Sequence, residues 1–269
     1  MGRAGARVAR AARDLWIDLW DAWSGASCPG CGAVPPRRHA VCAACDAAVG
    51  RTGVAACLRC MAGAGEGAAS APTRLAGVCP RHGADRLLLA GPRYEAPLDR
   101  IVHAYKYEGG RSLHRWIAAL LPEPPGFESL RRESVIVPVP LHRERLAWRG
   151  FDQARLLATS VGRSRGIPVA DALERVRDHP PQARLGRDGR LANVRGAFRV
   201  RPEAVPLLAG RPVLLIDDVA TTGSTLLEAA AALDTAAPSW ILSLAAAHGG
   251  LPDGPEIPLH VEVATPPAL

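Results

Sequence analysis

The sequence contains no apolar run that approaches the roughly 18–20 residues of a membrane span, so we predict no transmembrane helix. It has neither an HExxH metalloprotease motif nor a recognisable Ser-His-Asp arrangement. Ser224 follows Gly223 at the position where a nucleotide-binding P-loop requires a lysine. The chain has a single lysine, Lys106, against 32 arginines. These absences argue against helical membrane proteins, HExxH proteases and P-loop enzymes, and they single out Lys106.

The positive charge of the chain is concentrated in one segment. Apolar residues make up 48% of the chain and charged residues 22%, as in an ordinary globular protein. The formal net charge is +7, and residues 131–201 carry 16 arginines against 7 acidic residues. Such a segment indicates an anionic partner, either a phosphorylated metabolite or a nucleic acid, unless it is simply a solvated arginine-rich surface.

The first 24 residues are basic and then apolar, in the manner of a signal peptide. However, Asp14, Asp18 and Asp21 interrupt the apolar stretch, and no small-residue cleavage site follows. We therefore predict that residues 1–24 form a basic amphipathic helix and that the protein is cytoplasmic.

All cysteines lie between positions 28 and 79, and six of the seven form CxxC pairs: Cys28 and Cys31, Cys42 and Cys45, and Cys57 and Cys60. The seventh, Cys79, is followed three residues later by His82. Two thiolates at this spacing on a tight turn can share one tetrahedral metal ion, whereas disulfides are rare in a reducing compartment. We predict two structural zinc sites, one with four thiolates and one with three thiolates and a histidine. Sequential pairing is expected, and a cross-braced arrangement fits the same spacing.

From about residue 86, short buried strands alternate with helical stretches. Apolar runs predict the strands at residues 87–90, 135–139, 213–216 and 240–244. Apolar residues at helical spacing predict helices around residues 98–105, 156–161 and 226–233. This alternation predicts an α/β fold, with a mainly parallel sheet flanked by helices and with ligands at the carboxyl ends of the strands.

The strand at 213–216 leads into the segment with the most distinctive chemistry. Asp217 and Asp218 follow it, and a small, hydroxyl-rich loop comes before the next helix: Ala220, Thr221, Thr222, Gly223, Ser224 and Thr225. Carboxylates are suited to sugar hydroxyl groups. The N–H groups and hydroxyls of such a loop, at the start of a helix, are suited to a monophosphate. The sequence therefore predicts a site for a phosphorylated sugar.

This strand, acid pair and loop resemble the 5-phosphoribosyl-1-pyrophosphate (PRPP) signature of type I phosphoribosyltransferases. The blocks at 137–141 (VPVPL) and 149–153 (RGFDQ) narrow the resemblance to the ComF family, the competence-associated phosphoribosyltransferase-like proteins. Preceding zinc ribbons are also a trait of that family, and further residues fit its pattern: Arg175, Gln182, Leu185, Arg190, Asn193, Ala197 and Phe198. The chain departs from the family at Asp152, where Asn is usual, and at His82, which replaces the usual last cysteine.

The resemblance implies the type I phosphoribosyltransferase fold and a reaction with Mg²⁺ in which pyrophosphate leaves C1 of the ribose. It implies that Asp217 and Asp218 hold the ribose hydroxyls and that residues 220–225 bind the 5′-phosphate. The pyrophosphate side would be formed by Pro138, Val139, Pro140, Arg145 and Arg149. Lys106 aligns with a family lysine and would join the two aspartates as a catalytic residue, although it could also be an ordinary surface lysine.

The expected domain order is an amphipathic helix (1–24), a double zinc ribbon (25–85), a phosphoribosyltransferase-like domain (86–248) and a disordered Pro-rich tail (249–269). The favoured function is a phosphoribosyltransferase with an unidentified acceptor, linked to DNA uptake and natural competence. One alternative is a non-catalytic competence factor that binds single-stranded DNA, with Trp148 and Phe151 stacking on bases. The other is a PRPP sensor without turnover.

Overall fold

The computed structural model describes residues 27–33, 40–60, 82, 86–123, 131–177, 195–250 and 256–258. The chain divides into two compact units, one drawn from residues 1–50 and 95–116 and the other from residues 51–94 and 117–269. The helix predicted at 1–24 and the ligand predicted at Cys79 lie outside the described residues. Within the described ranges, no helix has the length and apolar character needed to cross a membrane.

The described residues of the first unit include the helices α1 (Ala43–Ala48) and α2 (Leu98–Tyr107). The apolar residues of α2 recur at helical spacing and are buried. Asp99 lies in the first turn of α2 and Lys106 in its last turn, so both charges complement the helix dipole. The indole N–H of Trp116 donates to the Asp46 carboxylate at 2.6 Å and links the end of this segment to α1.

The second unit is built on a six-stranded sheet: β1 (Thr52–Cys57), β2 (Leu87–Ala90), β3 (Val135–Pro138), β6 (Pro212–Ala220), β7 (Trp240–His248) and β8 (Glu256–Pro258). The strand order is β3-β6-β7-β2-β1-β8. The first four strands in this order are parallel, and β1 and β8 are added antiparallel. A separate two-stranded antiparallel ribbon pairs β4 (Leu173–Arg175) with β5 (Phe198–Val200).

Among the residues described for this unit, the helices are α4 (Arg143–Arg149), α5 (Gln153–Arg165), α6 (Val205–Leu208) and α7 (Ser224–Leu233). Helix α3 (His114–Ala118) includes the point in the chain where the first unit ends and the second resumes. Alternate residues of a strand face opposite sides of a sheet. Accordingly, Val137 and Leu215 share a core cluster with Leu226 of α7, and Ile136 faces the side on which α5 packs. The α/β class, with a mainly parallel sheet flanked by helices, is confirmed.

Close packing of α5 requires a glycine at position 162. A Cβ atom there would lie 2.6 Å from Cγ2 of Val169 and 2.8 Å from the carbonyl oxygen of Ile167. Both distances are far shorter than van der Waals contact. The helix therefore approaches the chain that follows it more closely than any side chain would permit.

The structure extends the sequence prediction in three places. β6 continues to Ala220, so Asp217 and Asp218 lie within the strand rather than after it. β1 lies within the segment expected to be zinc ribbon, yet it pairs with β2 of the main sheet. Residues 256–258, in the segment expected to be a disordered tail, form β8 against β1. In each case pairing with a distant strand determines the local structure.

Candidate functional site

The two adjacent aspartates lie at the carboxyl end of β6, the second strand of the sheet. In the register with β7, Asp217 lies opposite Ala245. Asp218 is 8% exposed, and its backbone N–H donates to Oδ1 of Asp217 at 2.8 Å. The strand therefore holds two neighbouring carboxylates at the edge of the sheet where ligands bind in parallel α/β folds.

The loop after β6 delivers the chain into the N-terminus of α7. Gly223 is the N-cap residue in the left-handed conformation (φ 69°), which glycine adopts without strain. It has no side chain to occupy the first N–H groups of α7, and the first turn contains no acidic residue. The hydroxyls of Thr222 and Ser224 are 2.9 Å apart. Free N–H groups, hydroxyls and the helix dipole together suit a phosphate group.

The residues predicted for the pyrophosphate side begin at the neighbouring strand. Pro138 ends β3 opposite Ile216, and the N–H of Val139 donates to the Ile216 carbonyl at 2.9 Å. Because β3 and β6 are parallel neighbours, the segment after β3 begins beside the aspartate pair. The structure thus brings Pro138, Val139 and Pro140 to the same edge of the sheet as Asp217 and Asp218.

Arg145 and Arg149 both lie on α4, the short helix that follows. Each is half-buried, and none of the seven residues of α4 is buried. Nη1 of Arg149 donates to Oε1 of Gln153 at 3.0 Å. Gln153, the last residue of the RGFDQ block, is buried and so provides a fixed acceptor for this guanidinium.

Asp152, where the family pattern has Asn, is the N-cap residue of α5. Its Oδ1 accepts from the N–H of Arg155 at 3.0 Å, and its Oδ2 accepts from the N–H of Leu141 at 3.1 Å. Burial raises the pKa of Asp152, the charge of Asp218 adds to the rise, and the two backbone hydrogen bonds oppose it. Asp152 therefore caps the N-terminus of α5, and the negative charge of Asp218 contributes to its raised pKa.

Two site residues were not found from the sequence, His248 and Gly249. His248 ends β7 opposite Ala220, and its side chain is 3% exposed. The N–H of Gly249 donates to the Ala220 carbonyl at 2.9 Å, and a Cβ on Gly249 would lie 3.3 Å from Cγ2 of Thr221. The sequence signal was present, since a polar residue and two glycines end a long apolar strand, but only the sheet order places them beside the loop.

Lys106 is in the other compact unit. It is half-buried and lies near the carboxyl end of α2, after the buried Tyr105. Its assignment as a catalytic residue stays a prediction from the family resemblance.

The first two CxxC pairs form one cluster in the first unit. The sulfur atoms of Cys28, Cys31, Cys42 and Cys45 all lie within 4.8 Å of one another. Two backbone N–H groups point at these sulfurs: that of Cys42 donates to Cys28 at 3.4 Å, and that of Cys45 donates to Cys42 at 3.4 Å. Four convergent sulfurs with amide donors fit a structural tetrahedral metal site.

The thiols of this cluster differ in their readiness to ionise. For Cys28, burial opposes ionisation, but backbone N–H donors outweigh it and lower the pKa to about 7. For Cys45, burial and the neighbouring sulfurs of Cys31, Cys42 and Cys28 raise the pKa to about 12. A dication at the centre would remove that repulsion, because metal binding favours the thiolate form.

The third CxxC pair meets His82 in the second unit. The ligand atoms of Cys57, Cys60 and His82 lie within 4.8 Å of one another, with Sγ of Cys57 3.5 Å from Nδ1 of His82. Cys57 is the last residue of β1, so this cluster begins directly at the end of a sheet strand. The grouping follows the sequential order expected from the spacing.

The two aromatic residues proposed as base-stacking groups have different environments. Trp148 of α4 is 73% exposed, whereas Phe151 is 7% exposed and belongs to the core. Arg175 from the later family block lies with its guanidinium 5.5 Å above the Phe198 ring, across the β4–β5 ribbon. The other residues of that block between positions 182 and 193 lie outside the described part of the chain.

Comparison with known proteins gives curated relatives but no matching family model. The chain is 32% identical to competence protein F of Haemophilus influenzae over 151 residues, 54% of this chain and 64% of the relative. It is 32% identical to the DNA utilization protein YhgH of Escherichia coli K12 over 142 residues, 51% of this chain and 61% of the relative. The chain thus spans somewhat less than two thirds of each of these two proteins.

A longer match is found with the DNA utilization protein YhgH of Salmonella typhi, which is 30% identical over 199 residues, 71% of this chain and 82% of the relative. Among solved structures, the allosteric regulatory enzyme of purine biosynthesis aligns with a TM-score of 0.31 and 17% identity over 49% of this chain and 25% of that chain. The fold assignment rests on the order and direction of the strands. The sequence relatives, one of which is covered over 82% of its length, show that this chain belongs to the ComF family.

Proposed function

We propose that the carboxyl edge of the sheet binds PRPP, or another ribose 5-phosphate compound, together with Mg²⁺. The observation that carries the proposal is the continuous path from the Asp217–Asp218 pair, through a glycine-capped loop, to the N-terminus of α7. The aspartates would accept hydrogen bonds from the ribose 2′- and 3′-hydroxyls. The N–H groups and hydroxyls of residues 220–225 would receive the 5′-phosphate.

The reaction that suits this site is phosphoribosyl transfer. A nucleophile forms a bond to C1 of the ribose, the bond from C1 to the pyrophosphate oxygen breaks, and pyrophosphate leaves with the electron pair. Arg145 and Arg149, with the Mg²⁺ that accompanies PRPP, would stabilise the negative charge on the leaving group. The catalytic role of Lys106 stays a separate prediction from the family resemblance. The nucleophile is a group on an acceptor molecule, and its proton passes to water as the bond to C1 forms.

We assign the cysteine clusters to structural zinc. The four-sulfur cluster of the first unit matches a complete tetrahedral ligand set. The cluster of Cys57, Cys60 and His82 supplies three ligands, and Cys79 is the expected fourth. Four protein ligands at each site would leave no coordination position open for a substrate, so the metal would contribute folding free energy rather than catalysis.

The biological setting we propose is DNA uptake in natural competence, and it is supported by relatives named for competence and for DNA utilization. One observation favours a second candidate activity, the binding of single-stranded DNA. Helix α4 has no buried residue; it exposes Trp148 and also carries Arg143, Arg145 and Arg149. An exposed indole among arginines suits base stacking together with phosphate contacts. A PRPP sensor without turnover remains the third hypothesis.

The decisive experiment is calorimetric titration of the full chain with PRPP and Mg²⁺. Wild type should bind, and Asp217→Asn/Asp218→Asn should lose about two or more orders of magnitude in affinity, because two hydrogen bonds to charged acceptors are weakened. Asp171→Asn, which neutralises a half-exposed carboxylate elsewhere, should bind as wild type does. Failure of the wild-type chain to bind PRPP would refute the ligand assignment.

Two further measurements separate the candidate activities. Pyrophosphate release from PRPP when candidate amines are supplied supports an enzyme, and PRPP binding without release under any condition supports the sensor. For the DNA hypothesis, Trp148→Ala should weaken binding to a single-stranded oligonucleotide by about five- to tenfold or more, with a steep salt dependence in the wild type. Equal binding by both proteins would exclude α4 as the contact surface.

A further inference from the structure

Residues 139–152 form a loop that leaves the sheet at β3 and returns at the start of α5. At its beginning, the N–H of Val139 is bonded to β6 through the Ile216 carbonyl. At its end, the Asp152 carboxylate accepts from the N–H of Leu141 at 3.1 Å and from the N–H of Arg155 at 3.0 Å. One carboxylate therefore joins the beginning of the loop to its end and to α5.

The middle of this loop lies at the surface. Helix α4, which makes up half of it, has no buried residue and so gains little from packing. Gly150 ends α4 in the left-handed conformation (φ 77°), and the buried Phe151 follows. Asp152 is bonded at both ends of the loop, and the hydrogen bond from Arg149 to Gln153 adds a link from α4 to α5.

Asp152 is also linked electrostatically to the aspartate pair. The charge of Asp218 acts on Asp152 in the direction that disfavours its ionisation, while Arg155 acts in the opposite direction. Arg155 is in turn held by Asp171, with Nε 2.8 Å from Oδ1 and Nη2 2.8 Å from Oδ2. The carboxylate that holds the loop and the aspartate proposed to bind the ribose therefore influence each other electrostatically.

We propose that Asp152 is a positioning residue for the pyrophosphate end of the ligand: its carboxylate holds the loop that carries Arg145 and Arg149 in place without contacting the ligand itself. This inference rests on the proposed function. It predicts that loss of the Asp152 carboxylate weakens the binding of pyrophosphate groups and spares the binding of ribose 5-phosphate, which uses residues 217–225.

The test compares three probes on the full chain by calorimetry with Mg²⁺: PRPP, inorganic pyrophosphate and ribose 5-phosphate. In Asp152→Ala, the dissociation constants for PRPP and pyrophosphate should rise about tenfold, as for the loss of one hydrogen bond to a charged group. The dissociation constant for ribose 5-phosphate should stay within about twofold. Asp171→Asn is the matched control, because it removes the other carboxylate bound to Arg155 but does not contact the loop.

Asp152→Asn keeps the proposal testable if the alanine variant does not fold. The amide oxygen can still accept from the N–H of Arg155 and preserve the helix cap, but the NH₂ group cannot accept from the N–H of Leu141. A smaller loss of pyrophosphate affinity is expected. In addition, the ratio of the wild-type to the variant affinity for pyrophosphate should change with pH, because Asp152 titrates in the wild type and Asn does not. The ionisation of pyrophosphate itself affects both proteins equally and cancels in this ratio.

The outcomes separate the two hypotheses. If wild type binds PRPP but the Asp152 variants weaken all three probes equally, or none of them, the positioning role is refuted and the proposed function stands. If wild type binds neither PRPP nor ribose 5-phosphate, the proposed function itself is refuted, and the positioning role is refuted with it. Selective loss of PRPP and pyrophosphate binding, with Asp171→Asn unchanged, supports both.

Discussion

The close approach of Gly249 to the phosphate loop allows a sharp prediction about binding. In Gly249→Ala, the new Cβ would lie 3.3 Å from Cγ2 of Thr221, tighter than ordinary van der Waals contact by a few tenths of an ångström. Thr221 is exposed, so it can move into solvent, and the cost in folding free energy should be about 1 kcal/mol or less. That movement, however, shifts the loop proposed to receive the 5′-phosphate.

The size of the binding effect follows from the hydrogen bonds at stake. A hydrogen bond to a charged group contributes about 1.5–3 kcal/mol, and misalignment of one such bond should forfeit roughly half of that. A loss of about 1 kcal/mol corresponds to a roughly fivefold weaker affinity for ribose 5-phosphate and PRPP. Calorimetry measures the affinity, and urea denaturation of the same samples measures the stability.

Gly250→Ala is the matched control for this prediction. Gly250 adopts φ 77°, and no atom of the described chain lies within 4 Å of the position of its Cβ. Alanine there meets backbone strain of about 1–2 kcal/mol but does not press on Thr221. Gly249→Ala should therefore reduce affinity more than stability, and Gly250→Ala the reverse. Unchanged affinity in Gly249→Ala, or equal losses of affinity in both variants, would refute the reasoning.

Three further predictions concern the metal, the core and pH. Cys45→Ser should abolish the first metal cluster and leave the second, so the zinc content by atomic absorption should fall by about half; an unchanged content contradicts the assignment. Leu214→Ala, at a fully buried position of β6, should lower the free energy of unfolding in urea by about 2–5 kcal/mol, whereas the half-exposed Leu207→Ala should cost about 0.5 kcal/mol or less. Burial raises the pKa of Asp152, so its contribution to stability is fully present below the ordinary Asp pKa of about 4 and is lost as pH rises through the raised value. Asp152→Asn should flatten that part of the stability profile, and an identical pH slope in both proteins would contradict it.

Local patterns in the sequence were sufficient to predict much of this fold. Strands that are buried on both faces of a parallel sheet consist of consecutive apolar residues. The sequence has such runs around Leu88, Val137, Leu214 and Leu242. The cysteine spacing predicted the clusters because metal-binding turns are short and local. The acid pair and the loop were readable for the same reason, since strand, loop and helix are contiguous in the chain.

Features that depend on distant pairing could not be read in this way. Nothing local shows that Ala220 lies opposite His248, or that Gly249 must remain small because Thr221 lies beside it. The role of Asp152 is hidden likewise, because its partner Leu141 is 11 residues away and donates a backbone N–H, a group that every non-proline residue has. The local sequence patterns suggested the residues expected to face the ligand, whereas the residues that hold those segments in place could be identified only from the fold.

The position of Cys57 at the end of β1 has a consequence for the fate of the chain before it acquires metal. β1 borders the parallel strands through β2, in a register that puts Cys57 opposite Leu87. On its other side, the described part of the chain provides the three residues of β8. Without a metal to tether its end, β1 would fray and leave β2 as an open strand edge, which is a template for intermolecular pairing. The supply of zinc would then determine how much of the newly made protein stays in solution. Expression in zinc-depleted medium should therefore yield aggregates rich in intermolecular β-sheet.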